Sequence, residues 1–240
     1  GFLGIDNKVD FKEKVVVIPF GLEKTVSYGG GTKNGPKEII KASHQVELYD
    51  EELNCEPYKK IGIKTLRPFK IDKDIKKALS KMSKINKEIL DKKLFPMTFG
   101  GEHSITPGCI APFVKRHKNL FLLHFDAHSD TWAEESERID HGTMFYHAAQ
   151  QGLVSPAHSA QIGLRTYNDQ DHGFHIFDAP AVHDLQPADL AAQVKNIVGD
   201  RPCYLTFDID CLDPSFAPGT GTPVVGGLST HQALQILQHL

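Results

Sequence analysis

The chain has 240 residues, 40% hydrophobic and 24% charged, with a formal net charge of -3, an ordinary globular composition that allows one large core or at most two domains. No apolar run approaches the roughly 20 residues that a membrane span needs, and the start "GFLGIDNKVDFKEK" lacks a basic segment followed by an apolar core and a cleavage site, so a soluble, cytoplasmic protein without a membrane partner is expected. Cys55, Cys109, Cys203 and Cys211 show no C-x-x-C spacing and read as reduced thiols rather than a disulfide framework or a structural zinc site.

The small net charge hides a seam. Residues 1–118 hold 23 Lys and Arg against 15 Asp and Glu, and residues 119–240 hold 4 against 15. Histidine divides 3 to 10 in the same direction. The lysines of the first half are spread along helical segments with acids between them and no aromatic interleaving, which is not the footprint of a nucleic-acid surface.

In chain order, the candidate strands are "KVVVIPF" (14–20), "LFPMTFG" (94–100), "NLFLLHF" (119–125), "SAQIGLR" (159–165), "GFHIFDA" (173–179) and "PCYLTFD" (202–208). Most are nearly continuous apolar runs, the pattern of strands covered on both faces. Helical patterns lie between them. "GPKEIIKASH" carries Pro36 where a first helical turn accepts it, and "DKDIKKALSKMSKINKEIL" places Ile75, Leu79, Met82, Ile85 and Ile89 on one stripe. "QPADLAAQVKNIV" and "STHQALQILQHL" continue the series. The expected fold class is α/β, three-layer α-β-α with a mainly parallel sheet, in which sites form beyond the carboxyl ends of strands.

Three strand ends carry chemistry. "LLHFDAHSDTW" sets His124, Asp126, His128 and Asp130 on alternate positions, so an extended backbone would point all four the same way. "FPMTFGGEHSITPG" ends in Gly100, Gly101, Glu102 and His103, the glycines permitting a tight turn and close backbone approach. "CYLTFDIDCLDPSFAPGTGTP" ends in Asp208 and Asp210, again two apart, before a Pro/Gly-rich loop. Asp is common at turns and caps, and the last pair alone would read that way. Several carboxylates on one rim repel unless cations neutralise them, and the ligand count argues for two divalent ions. Oxygen-rich ligation with a minority of histidine favours Mn²⁺ over Zn²⁺, with iron or zinc as other possible occupants.

"GGEHS", "HFDAHSDTW", "DHGTMF" and "FDIDCLDPSFAPGTGTPVVGG" resemble the signatures of the ureohydrolase (arginase and agmatinase) family, most closely its agmatinases. The resemblance runs from about "VVVIPF" through the final helical pattern and is closest after residue 118. It implies an arginase-like fold, one domain over residues 1–240, two Mn²⁺ per chain, and urea cleaved from a guanidino compound. The implied ligands are His103, Asp126, His128, Asp130, Asp208 and Asp210. Asp126 and Asp208 would bridge, with His103 and Asp130 on one ion and His128 and Asp210 on the other. His124 matches no ligand position. Asp130 is the implied proton relay to the departing amine and His141 the active-site histidine. The family also implies a homo-oligomer.

Substrate choice is a separate matter. The loop "TWAEESERIDHGT" lacks an arginase-like pattern and carries Glu134, Glu135, Glu137 and Asp140 against Arg138, an acidic rim suited to agmatine, whose far end is a cation. The same charges also fit a solvated loop that touches nothing, and guanidinobutyrate or another guanidino acid is the alternative substrate. "SYGGGTKNGPKEI" has no G-K-[ST] ending and "PGTGTP" no nucleotide spacing, so both read as shaped loops. Family members continue past the position of "STHQALQILQHL" with a strand inside the sheet that carries a catalytic glutamate, then further helices. A 240-residue fragment of a longer protein is therefore expected, C-terminally truncated, with Gly1 in place of Met pointing the same way. Two other readings stand beside this one: a single-zinc centre on the related fold of histone deacetylases, and an inactive metal-binding fragment.

Overall fold

The computed structural model describes residues 1–7, 12–117, 120–133, 136 and 138–240. They form two compact units, one of Gly1–Lys24 and Gly31–Pro112, the other of Thr25–Gly30 and Phe113–Leu240. The break after Pro112 lies close to the charge seam, whose residues 118 and 119 fall outside the described set.

In the first unit β1 (Val15–Phe20) is followed by α1 (Gly35–Ala42), α2 (Pro57–Ile61), β2 (Ile63–Thr65), α3 (Ile75–Asp91), β3 (Phe95–Gly100) and the start of α4 (Thr106–Val114). The sheet order is β2-β1-β3, all parallel. Central β1 is buried along its whole length, as its apolar run requires. Pro36 sits in the first turn of α1, where its missing N–H costs nothing. Asp74 caps α3 by accepting from Lys77 N, and Leu79, Met82 and Ile89 of the expected stripe are buried while Ile75 and Ile85 are half-buried. Gly108 of α4 lies against α3 so closely that a Cβ there would fall 2.7 Å from the Leu79 carbonyl.

The second unit runs β4 (Phe121–Phe125), α5 (Met144–Gln150), β5 (Ala160–Leu164), β6 (His175–Asp178), α6 (Ala179–Asp184), α7 (Pro187–Val198), β7 (Cys203–Phe207) and α8 (Thr230–His239). Its sheet order is β6-β5-β4-β7, again all parallel. Phe121, Leu123 and Phe125 of β4 meet Ala160 and Ile162 of β5 in one core with Val182, Leu190, Val194, Ala233 and Ile236 from α6, α7 and α8. The alternate residues of β4 face the other way, where the His124 ring lies 4.7 Å from Phe145 of α5. Helices thus cover both faces of this sheet. The Ser229–Gln232 capping box opens α8.

The parallel α/β class is as expected. Burial on both faces holds for the interior strands β1, β4 and β5, whereas β3, β6 and β7 are edge strands with exposed positions such as Phe95, Ile176 and Leu205. Among the described residues no strand pairs with the far side of β7. Short elements were not anticipated: β2 has three residues, and α2, α4, α5 and α6 are too brief or too uniformly apolar to display a helical period. Among the described residues no helix is long and apolar enough to cross a membrane.

Candidate metal centre

β4 is where the chain order of the second unit's sheet turns back. The path leaves β4 for β5 and β6 on one side, then returns to β7 on the other. Such a switch point opens a crevice beyond the strand's carboxyl end, because the two flanking connections leave in opposite directions. Backbone bonds fix that end on both sides: Asp126 N donates to Ile162 O (3.1 Å), and Asp208 N donates to Phe125 O (2.8 Å).

The alternation expected from His124 through Asp130 stops at Phe125, where the strand ends. Residues 126–130 form a loop, and Asp130 adopts a left-handed backbone (φ 53°). Convergence comes from this loop rather than from a strand face. Asp126 is its centre, 1% exposed: Oδ1 accepts from His128 N (2.7 Å) and lies 3.2 Å from His128 Nδ1, while Oδ2 lies 2.8 Å from His124 Nε2.

The second carboxylate arrives from the end of β7. Asp208 caps a short 3-10 turn, Ile209–Cys211, by accepting from Asp210 N (3.1 Å), and this cap shapes the turn that carries Asp210. Buried Asp210 accepts from Ala127 N through Oδ1 (3.0 Å) and turns Oδ2 to His128 Nδ1 at 3.1 Å. Ligand-type atoms of Asp126, His128 and Asp210 all lie within 4.8 Å of one another, as do those of His124, Asp126 and Asp130. Asp126 belongs to both sets.

The electrostatics favour a cation here. Burial works against a charged His128, but its bonds to Asp126 and Asp210 outweigh that and push it up to about 10. Burial, then the charge of Asp126, raises Asp210. Two buried carboxylates and one imidazole therefore hold a proton tightly, in the place where a divalent ion would supply the missing positive charge. Two oxygens and one imidazole nitrogen within reach of one another are a donor set that fits such an ion.

The loops around this cluster are held by residues that the motifs did not single out. Gln161 of β5 donates to Ser129 O (2.7 Å), and Asn168 donates to Ser129 Oγ (2.8 Å) and Thr131 Oγ1 (3.1 Å). Arg165 donates to the carbonyls of Gly163, Asp210, Cys211, Leu212 and Val224, gathering the turn that carries Asp210. Burial lowers its pKa. Asp213 accepts from Ser215 Oγ and N and from Gly226 and Gly227 N, and these bonds hold its carboxyl well below the usual range. A glutamine inside the apolar run "SAQIGLR" was a legible signal; the others stand at or beyond strand ends, and most of their partners are distant in sequence.

His141 stands on the loop before α5, in the same unit. Its Nδ1 is 3.2 Å from Thr25 Oγ1 and its Nε2 3.3 Å from Ser27 Oγ. Trp132 N donates to Gly142 O (3.0 Å) and Phe145 N to Asp130 O (2.9 Å), which ties this loop to the Asp130 backbone. Asp140 is paired with Arg138 at 3.0 Å. Glu134, Glu135 and Glu137 lie outside the described residues.

His103 belongs to the first unit, buried in a 3-10 turn after β3. Gly101 is the close backbone approach expected of this motif: a Cβ there would meet the Leu22 carbonyl at 1.9 Å. Glu102 is a clamp, accepting from Lys24 N (2.6 Å) and Ser104 Oγ (2.5 Å).

A parallel α/β chain with buried Asp and His side chains gathered beyond a switch-point strand is a protein built to hold a divalent metal. Residues 13–240 match the arginase family, and the chain belongs to it. It is 56% identical over 144 residues to an agmatinase of Proteus mirabilis, a match covering 60% of this chain and 47% of that one. The chain thus spans about half the length of that relative. An agmatinase of Chromobacterium violaceum is 42% identical over 233 residues, 94% of this chain and 71% of its own. Among solved structures, a hypothetical agmatinase from Burkholderia thailandensis superposes with a TM-score of 0.93 at 38% identity, covering 100% of this chain and 78% of that one.

Proposed function

We propose that this chain carries the metal centre of a guanidino hydrolase that converts agmatine and water to putrescine and urea. The observation that carries the reading is the Asp126–His128–Asp210 cluster beyond β4, two buried carboxylates on a half-buried imidazole, in a member of the arginase family. His103, Asp126, His128, Asp130, Asp208 and Asp210 are the proposed ligands of two Mn²⁺. Such ions supply positive charge and lower the pKa of water toward ~7, which makes a nucleophile available at neutral pH.

The protein's own contribution is position and proton transfer. Ala127 N and the Arg165 bonds hold Asp210; Gln161 and Asn168 hold the loop that carries His128 and Asp130. Asp130, a buried carboxyl beside Asp126, is proposed to relay a proton to the departing amine. His141 is proposed to act on the substrate side, its ring oriented by Thr25 and Ser27. Agmatine as substrate rests on the relatives named agmatinase. An acidic rim adds less, since Asp140 is already paired with Arg138. A homo-oligomer is part of the proposal.

The test is urea release from agmatine, arginine and 4-guanidinobutyrate in parallel after Mn²⁺ loading, with bound metal counted per chain. Two ions and urea from agmatine alone are expected. Urea from guanidinobutyrate instead would overturn the substrate, and one zinc per chain would overturn the dinuclear centre. Metal without urea would overturn the activity of this chain.

A further inference from the structure

His124 is fully buried beside the metal cluster and has no part in the chemistry above. Its two ring nitrogens face different partners: Nε2 lies 2.8 Å from Asp126 Oδ2, and Nδ1 lies 2.9 Å from Gln161 Nε2. The amide nitrogen of Gln161 is fixed as a donor, because it also lies 2.7 Å from the Ser129 carbonyl oxygen, which can only accept. Nδ1 of His124 therefore accepts, and the ring proton resides on Nε2, where it is donated to Asp126. A nitrogen bearing that proton has no lone pair for a metal.

The arrangement is set by the sheet. His124 and Gln161 are register partners in the β4–β5 pairing, so their side chains leave the same face side by side. Phe145 closes over the ring at 4.7 Å. Gln161 is itself fully buried, and its Oε1 has no hydrogen-bond partner among the described residues. An unpaired buried acceptor is costly, and the bonds this amide does make are the two from its nitrogen.

We propose that His124 is a positioning residue rather than a metal ligand: held as the Nε2–H tautomer by Gln161, it ties down Asp126 Oδ2 and so fixes the carboxylate's rotation. The other oxygen, Oδ1, is thereby kept toward His128. This role rests on the reading of Asp126 as a ligand. A hydrogen bond behind a ligating carboxylate orients it and tunes its basicity, and loss of such a partner typically costs about 10–100-fold in metal affinity.

The experiment compares Mn²⁺ affinity of the wild type, His124→Phe and His124→Gln by competition with a chelating dye. It also reads the His124 tautomer by long-range ¹⁵N NMR in the chelator-treated wild type. Phe keeps the ring and removes the donor, whereas Gln places an amide N–H near the position of Nε2. A dissociation constant raised about 10–100-fold in the Phe variant, with most of the affinity kept in the Gln variant and the proton found on Nε2, is expected. Equal binding by the Phe variant, an equal loss in both variants, or a proton on Nδ1 overturns the role. A wild type that binds no Mn²⁺ overturns the metal-centre reading and this role together, which separates that failure from the others.

Discussion

The backbone N–H of Ala127 donates to Oδ1 of Asp210 across 3.0 Å, joining two loops that lie 83 residues apart in sequence. One bond therefore spaces the two carboxylates that face His128. Asp210→Asn keeps an acceptor for Ala127 but removes a charge. Mn²⁺ affinity should fall by more than the ~10–100-fold typical of residues behind a ligand. The chelator-treated variant should unfold no earlier than wild type, since the cost of burying the charge, and then its repulsion with Asp126, are relieved. Metal titration and calorimetry on the same preparation check both halves.

Arg165 makes its bonds to five carbonyls from one guanidinium. Arg165→Met fills similar space but leaves acceptors unpaired at ~1–3 kcal/mol each where they are buried, so a loss of about 2–3 kcal/mol is expected. For a chain of this size that is a melting midpoint lower by roughly 4–12 °C. Arg165→Lys should recover only part of it, because an ammonium cannot reproduce the planar fork. A Met variant as stable as wild type would show that the turn at 209–212 holds itself.

Gly101→Ala tests the close approach that leads into His103. The added methyl would meet the backbone of Leu22, which cannot rotate away as a side chain would. Destabilisation of about 3 kcal/mol or more is expected, at the upper end for overpacking. A chemical denaturation midpoint unchanged from wild type would count against the geometry of this turn.

Asp213 gives the pH dependence a sign. Its folded pKa is depressed, chiefly by Ser215 and the backbone N–H groups of Gly226 and Gly227, so the unfolded chain takes up the proton first as acid is added. The stability it contributes is fully present above the unfolded value of ~3.9 and is lost as pH falls through the folded one. Asp213→Asn should therefore melt below wild type at pH 7, with the gap narrowing as the pH drops under 4. Parallel melts across that range decide it, and a gap independent of pH would mean that charge is not what holds the loop.

Much of the fold could be read from the chain because β1, β4 and β5 are nearly continuous apolar runs bounded by turn residues, and α3 repeats its apolar positions at helical spacing. β2 was invisible at three residues, and α4, "TPGCIAPFV", is apolar on all sides and contains a proline. The site was legible as a set of motifs, and its working parts less so. His124 through Asp130 looked like one strand face, yet the strand ends at Phe125 and a left-handed Asp130 completes the loop.

What the sequence determined by itself was that Asp and His residues gather at or just past strand ends, since residue type and period are local properties of the chain. The division of labour among them was decided only by tertiary structure. Gln161 becomes the partner of His124 through strand register, Arg165 reaches the Asp210 turn across 45 residues, and Asp140 is paired with Arg138 instead of standing as an open charge. Hydrogen bonds and burial belong to pairs of residues brought together by folding, and no single stretch of chain contains both members.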